Sequence, residues 1–248
     1  DSTGKKQYHL SKQIKIFTKM KCFHYNLNQT DISTFFPKKL IKNKVQIIQI
    51  LLEFIRQFLL IPDKKPTKKN LVGIYYVELR IDKISRVFFF SEKKYYTIHF
   101  PFNCSIQDDS SLEITYQGYR NIIPIESGII SGVMEILKNE EFNSSSASDF
   151  FKPIRDIESK IDDNIWELLK GLLMFEDGYM RFDNDPEEYK RAKNEGREHT
   201  HPENHIDIFY NNGNTFKLGL KRKSTPDEFI DYFDSKKDCK YLKGFNEK

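Results

Sequence analysis

The hydrophobic period of this chain changes near residue 70, and that change constrains the fold more than any other feature of the sequence. Residues 5–25 and 38–61 are typical of helices, whereas residues 71–125 contain short runs rich in β-branched and aromatic side chains. In one such run, LEITYQ at residues 112–117, apolar and polar side chains alternate as they do in a strand. We therefore expect an α+β fold in which a helical N-terminal region precedes an antiparallel sheet.

The second half of the chain returns to helix before it ends in a hairpin. A short helix is predicted over Ser127 to Lys138, and the polar run at residues 143–149 is typical of a linker. A long amphipathic helix should then begin near Pro153, because proline suits the first helical turn. The apolar stripe of this helix is spaced three and four residues apart and comprises Ile154, Ile157, Ile161, Ile165, Leu168 and Leu172.

The segment HIDIFYNNGNTFKLGL, residues 205–220, predicts a β-hairpin whose register can be argued. A two-residue Asn-Gly turn would mix apolar and polar residues on each face of the hairpin. A three-residue loop at residues 211–213 instead sets Ile208 opposite Phe216 and Ile206 opposite Leu218, so that the apolar residues share one face. We expect the second register.

This register gathers titratable residues on the other face of the hairpin. His205 and Asp207 lie there, with Asp207 across from Lys217. The same alternation in the run MRFD turns Arg181 and Asp183 away from Met180 and Phe182. If the two strands are neighbours, one surface collects Arg181, Asp183, His205 and Asp207, while His199 and His201 lie in the loop that leads to it.

The last predicted element is a short helix that closes the hairpin. Thr225 precedes Pro226 and is followed three residues later by Glu228, which is the order of a capping box with proline in the first turn. The side chains expected to pack this helix on the hairpin are Phe229, Ile230 and Phe233.

Charge divides the chain into a basic start and an acidic remainder. Residues 1–70 hold 15 Lys and Arg against 4 Asp and Glu, a net charge of +11, and because the whole chain carries +4 the remainder carries −7. We expect a basic helical region at residues 1–62, a linker at 63–70 and an α+β domain at 71–248. The basic region suits binding to nucleic acid or to an acidic partner protein, and a solvated lysine-rich surface is the alternative.

Several classes of protein are disfavoured by what the sequence contains. Cys22, Cys104 and Cys239 are odd in number and far apart, which supports neither a disulfide framework nor a zinc finger and favours a reducing cytoplasm. The apolar stretch from Val45 to Ile61 carries a recurring polar stripe, so we expect an amphipathic helix and no membrane span. Phosphate-binding glycine loops and nucleophile-elbow motifs do not occur.

Three of the six histidines fall within seven residues: His199, His201 and His205. They lie on or near the face that is predicted to carry Arg181 and Asp183. One hypothesis is acid–base cleavage of a phosphodiester, in which two imidazoles exchange protons near neutral pH while an arginine stabilises the phosphate. A second is a divalent metal site formed by His199, His201 and His205 with Asp183 or Glu198. The third is structural, with an Arg181–Asp183 ion pair and a His-Pro turn that packs a loop.

The C-terminal block resembles a bacterial domain family of unknown function. The family pattern is R-F-D, D-P, H-P-x-x-H, a strand and then [ST]-P-x-x-F-I, and residues 150–235 follow it, with Asp185-Pro186 at the Asp-Pro position. The pattern is also loosely similar to toxins of toxin–antitoxin pairs that are thought to act on RNA, and families of this kind often lie near phage-defence genes. The resemblance marks Arg181, Asp183, His201 and His205, and His199 has no counterpart in it.

Two functional hypotheses result. In the first, the protein is a cytoplasmic, metal-independent ribonuclease toxin or defence effector in which His201 and His205 exchange protons, Arg181 holds the phosphate and Asp183 orients an imidazole. In the second, it is a non-catalytic subunit that binds nucleic acid, RNA rather than DNA, or a partner protein through its basic helical N-terminus. One open cleft lined by these four residues would favour the enzyme, whereas burial with mutual hydrogen bonds would favour the structural role.

Overall fold

Two antiparallel sheets organise the chain in the computed structural model, which describes residues 21–37, 41, 43–60, 75–106, 112–142, 150, 155, 161–209 and 215–240. The strands are β1 Lys21–Asn26, β2 Tyr76–Ile81, β3 Arg86–Phe90, β4 Lys94–His99, β5 Phe102–Ile106, β6 Leu112–Gln117, β7 Ile122–Pro124, β8 Met180–Asn184, β9 Asn204–Phe209 and β10 Thr215–Leu220. The α-helices are α1 Gln29–Phe35, α2 Lys44–Leu60, α3 Ser127–Ile136, α4 Asp163–Met174, α5 Pro186–Asn194 and α6 Pro226–Asp231. The mixed α+β class expected from the sequence is confirmed.

The larger sheet has seven strands in the order β1-β2-β3-β4-β8-β9-β10. Strands β1 to β4 lie side by side in chain order, and β8 joins them to the C-terminal hairpin of β9 and β10 because it pairs with β4 on one side and with β9 on the other. The register of the hairpin sets Ile208 opposite Phe216 and Ile206 opposite Leu218, which confirms the prediction from the apolar alternation. The loop between these strands, residues 210–214, lies outside the described residues.

Helix α2 covers one face of the strands β1 to β4 and forms the main core with them. Its buried side chains include Ile48, Leu51 and Phe54, each fully excluded from solvent. Across the sheet they meet the alternate side chains of the strands, among them Phe23 and Phe89. In the polar stripe of α2, Arg56 is exposed and the other members are half-buried: Gln46, Gln49, Glu53 and Gln57. Within the described residues, no helix is both long enough and apolar enough to cross a membrane.

The opposite face of the same sheet carries an aromatic cluster closed by α6. A row of register partners crosses six strands here: Tyr76, Phe90, Tyr95, Phe182, Ile206 and Leu218. Phe229 and Ile230 of α6 pack on this face, with Phe233 beside them, as part of a cluster that includes Ile206 of the hairpin. Their ring contacts are with Phe88, Phe90 and Tyr95 of β3 and β4, so the helix covers more of the sheet than the hairpin on which it was predicted to pack. The predicted capping box is also confirmed, because the Thr225 hydroxyl accepts from the Glu228 amide and the Glu228 carboxylate accepts from the Thr225 amide.

The three-stranded sheet β5-β6-β7 stands apart from the seven-stranded one, so the antiparallel pairing expected over residues 71–125 is divided between two sheets. Phe102 of β5 and Ile114 of β6 pack into the main core together with Val133 of α3 and Leu169 of α4. The clean alternation of residues 112–117 therefore marks a strand that covers the core on one side only.

The sequence-based boundaries near the N-terminus need correction. Residues 21–25, expected at the end of a helix, belong to strand β1, which pairs with β2. Tertiary pairing outweighs local helical propensity there, because the alternating Phe23 and Tyr25 are buried against α2. The predicted linker at residues 63–70 lies outside the described residues, and residues on either side of it share one hydrophobic core.

The predicted helix from Pro153 is seen only in part, since residues 151–154 and 156–160 are outside the described residues. Helix α4 begins after Asp162, whose carboxylate accepts hydrogen bonds from the amides of Asn164 and Ile165. The linker expected at residues 143–149 is likewise outside the described residues.

Candidate functional site

Four of the residues singled out from the sequence meet on one face of strands β8 and β9. Arg181 is the register partner of Asp207, and Asp183 is the register partner of His205. The sequence predicted this convergence on the condition that the two strands are neighbours, and that condition is met. All four residues are buried, with at most 9% of any of them exposed, whereas the prediction left open whether the surface they share faces solvent.

Arg181 joins the two carboxylates of this face. Its Nε donates to Asp183 Oδ2 at 2.7 Å and its Nη2 donates to Asp207 Oδ2 at 2.5 Å. Burial by itself would lower the pKa of Arg181, but the charge of Asp183 and its neighbours outweighs burial and raises that pKa. The guanidinium is therefore a fixed cation whose fork is divided between two protein carboxylates.

Lys217 supplies a second cation to the same face. Its Nζ donates to Asp207 Oδ1 at 2.7 Å and lies 2.8 Å from His205 Nε2. The hairpin register predicted from the sequence sets Lys217 opposite Asp207, but Lys217 was not among the predicted site residues. The signal that could have identified it is the hairpin register, since a lysine directly across from a buried aspartate must either pair with it or leave it uncompensated.

The two ring nitrogens of His205 are both engaged. Nδ1 lies 2.7 Å from the carbonyl oxygen of Pro202, which can only accept, so Nδ1 carries the hydrogen. Nε2 is then the acceptor for the ammonium of Lys217. Burial lowers the pKa of His205, and the positive charge of Lys217 lowers it further. His205 is thus a neutral, hydrogen-bonded imidazole at neutral pH.

Gly219, the register partner of His205, makes room for the Pro202 turn. A Cβ on Gly219 would lie 3.0 Å from the Pro202 Cγ atom, which is tighter than ordinary van der Waals contact. The absence of a side chain therefore lets the His-Pro turn close over the strand pair and offer its carbonyl group to His205.

His201 and His199 lie in the loop before β9, as predicted, and only His201 approaches the cluster. The rings of His201 and His205 have centroids 4.8 Å apart in an edge-on arrangement, and His201 Nε2 lies 3.6 Å from Asp185 Oδ2. Asp185 is itself the N-cap of α5, and Pro186 fills the first position of that helix. His199 is exposed on a short 3-10 turn.

Two sets of side chains in the described part of the chain have donor atoms close enough to share a metal ion. One is Asp183, His205 and Asp207, and the other is Cys22, His24 and Glu78. Neither includes His199 or His201, so the three-histidine set expected from the sequence is not assembled in the described residues. In the first set the Lys217 ammonium already contacts two of the three ligands, and it stands where a metal cation would.

A small cleft opens beside Arg181 on the same face. It has a volume of about 50 Å³ and is lined by Phe35, Phe36, Pro37, Ile41, Lys94, Tyr96, Tyr179 and Arg181. A site for a drug-sized ligand spans roughly 300 Å³ or more, and one water occupies about 30 Å³ of liquid, so this cleft has the size of a water site.

The arrangement is a nearly closed network of ions. Arg181 and Lys217 balance Asp183 and Asp207 in charge, and the neutral His205 accepts a hydrogen bond from Lys217. Burial with mutual hydrogen bonds is the outcome expected of a structural role, because Arg181, His205 and Lys217 already bond to other groups of the protein. Two atoms of the predicted site, Asp183 Oδ1 and His201 Nε2, are buried without a hydrogen-bond partner.

Comparison of the chain with models of known protein families, with curated protein sequences and with solved structures finds no match. The resemblance of the C-terminal block to a bacterial family therefore stays a prediction. Within that block, the structure gives the Asp-Pro and Thr-Pro steps a local role as helix starts.

We predict that replacing Arg181 with Met lowers the free energy of unfolding by about 3–5 kcal/mol, because two buried carboxylates lose their shared cation. Adding Asp183→Leu should cost less than the sum of the two single losses, since the second change removes one of the stranded charges. Urea unfolding of both single variants and the double variant measures this coupling. The control is Arg56→Met, whose half-exposed ion pair with Glu53 should be worth at most about 1 kcal/mol; an equal loss for the two arginines would contradict the network.

A second prediction concerns pH. Because the pKa of His205 is lowered in the folded state, the unfolded chain takes up the proton first as pH falls, and folding stability is lost from about pH 6.5 downward. The stability difference between wild type and His205→Gln should therefore shrink between pH 7 and pH 5. His199→Gln, at an exposed position, serves as the control and should show no such trend. A difference that stays constant with pH would refute the assignment of a neutral His205.

Proposed function

We propose that this protein is a nucleic-acid-binding subunit that binds RNA through its basic N-terminal region and has no catalytic role of its own. The observation that carries the proposal is the separation of charge along the chain, +11 within residues 1–70 and −7 in the remainder. A cluster of lysines of this density attracts the phosphate backbone without reading sequence.

The state of the candidate site supports a binding role over a catalytic one. Arg181, which was predicted to bind the phosphate, has 5% of its surface exposed and donates to two carboxylates. His205, which was predicted to act as a general acid or base, is 1% exposed and hydrogen-bonded at both ring nitrogens. A substrate phosphate would have to break this network before it met either group.

The positions of the Lys and Arg residues within residues 1–70 decide which of them should be substituted in a test of RNA binding. Lys44 forms a largely buried ion pair with Asp177, and the half-exposed Arg56 pairs with Glu53 of the same helix. Most other lysines of residues 1–70 lie outside the described residues. The test therefore alters charge alone, by a quadruple substitution to Gln at Lys5, Lys6, Lys12 and Lys15.

We expect the wild-type protein to bind a fluorescein-labelled single-stranded RNA of mixed sequence with an affinity that falls steeply as salt rises. For a single strand, each lost phosphate contact lowers the slope of log affinity against log salt by about 0.7. The quadruple variant should therefore bind more weakly and with a smaller slope, as measured by fluorescence anisotropy between low and physiological salt.

The matched control removes the same number of positive charges from the exposed surface of the C-terminal half, with Gln at Lys190, Lys193, Lys221 and Lys240. This control should keep the wild-type salt slope. Equal weakening by both variants would mean that net charge alone is responsible, and no binding by wild type at low salt would reject the proposal. A DNA strand of the same sequence, measured in parallel, decides whether RNA is preferred.

A second candidate function is the nuclease-type toxin or defence effector, most directly a ribonuclease. One observation favours it: a buried polar cluster, completed by the partly exposed Lys217, occupies a face of β8 and β9 where apolar side chains would be expected. Its buried members are Arg181, Asp183, His205 and Asp207. Clusters of this kind occur more often at functional sites than elsewhere, because burying charge is costly. In this candidate, His201 at the edge of the cluster exchanges protons with the substrate, and the network must open on binding.

The nuclease candidate predicts cleavage of total RNA by wild type and its loss in His201→Ala, with the melting temperature unchanged. His199→Ala is the matched control, because His199 is two residues away and exposed on the same loop. Incubation with a chelator separates the mechanisms: activity that survives it supports acid–base chemistry, and activity that it abolishes supports a metal ion. An intact substrate after incubation with wild type, with and without added divalent ions, would eliminate this candidate.

A further inference from the structure

Three side chains of different ligand chemistry meet at the opposite edge of the seven-stranded sheet, far from the hairpin in strand order. Cys22 and His24 alternate along the edge strand β1, and Glu78 lies opposite His24 on β2. Cys22 Sγ lies 3.6 Å from His24 Nε2 and 3.3 Å from Glu78 Oε1, and His24 Nε2 lies 3.0 Å from Glu78 Oε2. We propose that Cys22, His24 and Glu78 form a zinc site with solvent in the fourth position.

The distances fit a tetrahedral ion. Zinc binds thiolate sulfur at about 2.3 Å and imidazole nitrogen or carboxylate oxygen at about 2.0–2.2 Å, which sets neighbouring donor atoms about 3.4–3.6 Å apart. With Glu78 Oε2 as the carboxylate ligand, the His24–Glu78 and Cys22–His24 separations of 3.0 and 3.6 Å require shifts of only a few tenths of an ångström. Cys22 Sγ lies 3.3 Å from the other carboxylate oxygen, Oε1. Thiolate and imidazole ligands together favour zinc over the harder magnesium and calcium ions.

Arg80 prepares the carboxylate for this role. Its Nε donates to Glu78 Oε1 at 2.5 Å, while Glu78 itself is 1% exposed. Burial by itself would raise the pKa of Glu78, but hydrogen bonds from His24 and Arg80 outweigh burial and lower it to about 2. The carboxylate is therefore ionised and held in place, as expected of an oriented metal ligand with an outer hydrogen-bond partner.

The contrast with the Arg181 cluster explains why zinc is assigned to this one. There, an ammonium from Lys217 bonds to both His205 and Asp207. Here, the contacts among the three ligands are bridged by protons: the Cys22 thiol donates to Glu78, and His24 shares its Nε2 side with the same carboxylate. Arg80 occupies only the Oε1 atom of Glu78, so the protons at the remaining donor atoms can be exchanged for a metal ion. The Lys217 ammonium bonds to two of the three ligands of the other cluster and must first be moved aside.

Zinc uptake has a defined proton balance. Burial raises the pKa of the Cys22 thiol, and the charge of Glu78 raises it further, to about 12. Binding therefore releases the thiol proton to solvent and leaves a thiolate on the ion. His24 must present the Nε2 lone pair and carry its hydrogen on Nδ1.

The test uses the full chain, freed of metal by a chelator and then titrated with Zn²⁺ and, separately, with Co²⁺. We expect one ion per chain and, with Co²⁺, a near-ultraviolet thiolate-to-metal absorption band. Cys22→Ser should lose the band and weaken Zn²⁺ binding by more than about 100-fold, since loss of even an outer partner costs about 10- to 100-fold. Cys104→Ser is the matched control: Cys104 is also a partly buried strand thiol whose pKa burial raises to about 12.

A measurement on wild type alone keeps the proposal falsifiable if the Cys22 variant does not fold. Zn²⁺ should slow alkylation of Cys22, read by peptide mass spectrometry, while leaving the exposed Cys239 unaffected. Absence of the Co²⁺ band in wild type, an equal loss of binding in Cys104→Ser, or unchanged alkylation of Cys22 in the presence of Zn²⁺ would each overturn the zinc site.

Discussion

The double pairing of strand β8 holds the two parts of the large sheet together. One edge of β8 is hydrogen-bonded to β4 and the other to β9, so the N-terminal strands and the C-terminal hairpin belong to a single sheet. Because side chains alternate along a strand, this position sends Phe182 into the aromatic cluster under α6 and Arg181 to the other face. A slip of one residue would exchange the two, burying a charge among aromatic rings.

The face that carries Arg181 changes character along one row of register partners. Tyr25, Val77, Phe89 and Tyr96 are apolar where α2 covers the sheet, and the row continues as Arg181, Asp207 and Lys217. Such a run of buried ions is tolerated because each charge has a partner of opposite sign within hydrogen-bond distance. Its members depend on one another for charge balance, and they favour the same hairpin register as the apolar residues of the other face. This mutual dependence gives the order of charged residues along these strands a structural role.

The pairing and the shared face of β8, β9 and β10 could be predicted from the sequence, because apolar and polar residues alternate there over enough positions. The hairpin register followed from keeping Ile206, Ile208 and Leu218 on one side, and it placed Arg181, Asp183, His205 and Asp207 together. The burial of that face could not be predicted, because alternation tells which residues share a face and not what covers it. The strand β1 was missed because six residues between segments typical of helices carry a weak signal, although Phe23 and Tyr25 alternate with Cys22 and His24.

That missed alternation matters because it hid the second polar cluster of the sheet. The two clusters obey the same rule, that a buried carboxylate must meet positive charge or a hydrogen-bond donor, and they satisfy it differently. Asp207 is saturated by Arg181 and Lys217, both covalently part of the chain, so its surroundings are fixed by folding. Glu78 is contacted by the guanidinium of Arg80 and by the exchangeable protons of Cys22 and His24, so its surroundings also depend on the pH and on the metal ions in solution. Metal binding is therefore expected at the β1 edge of the sheet, where protons that neutralise part of the Glu78 charge can be replaced by a metal ion from solution.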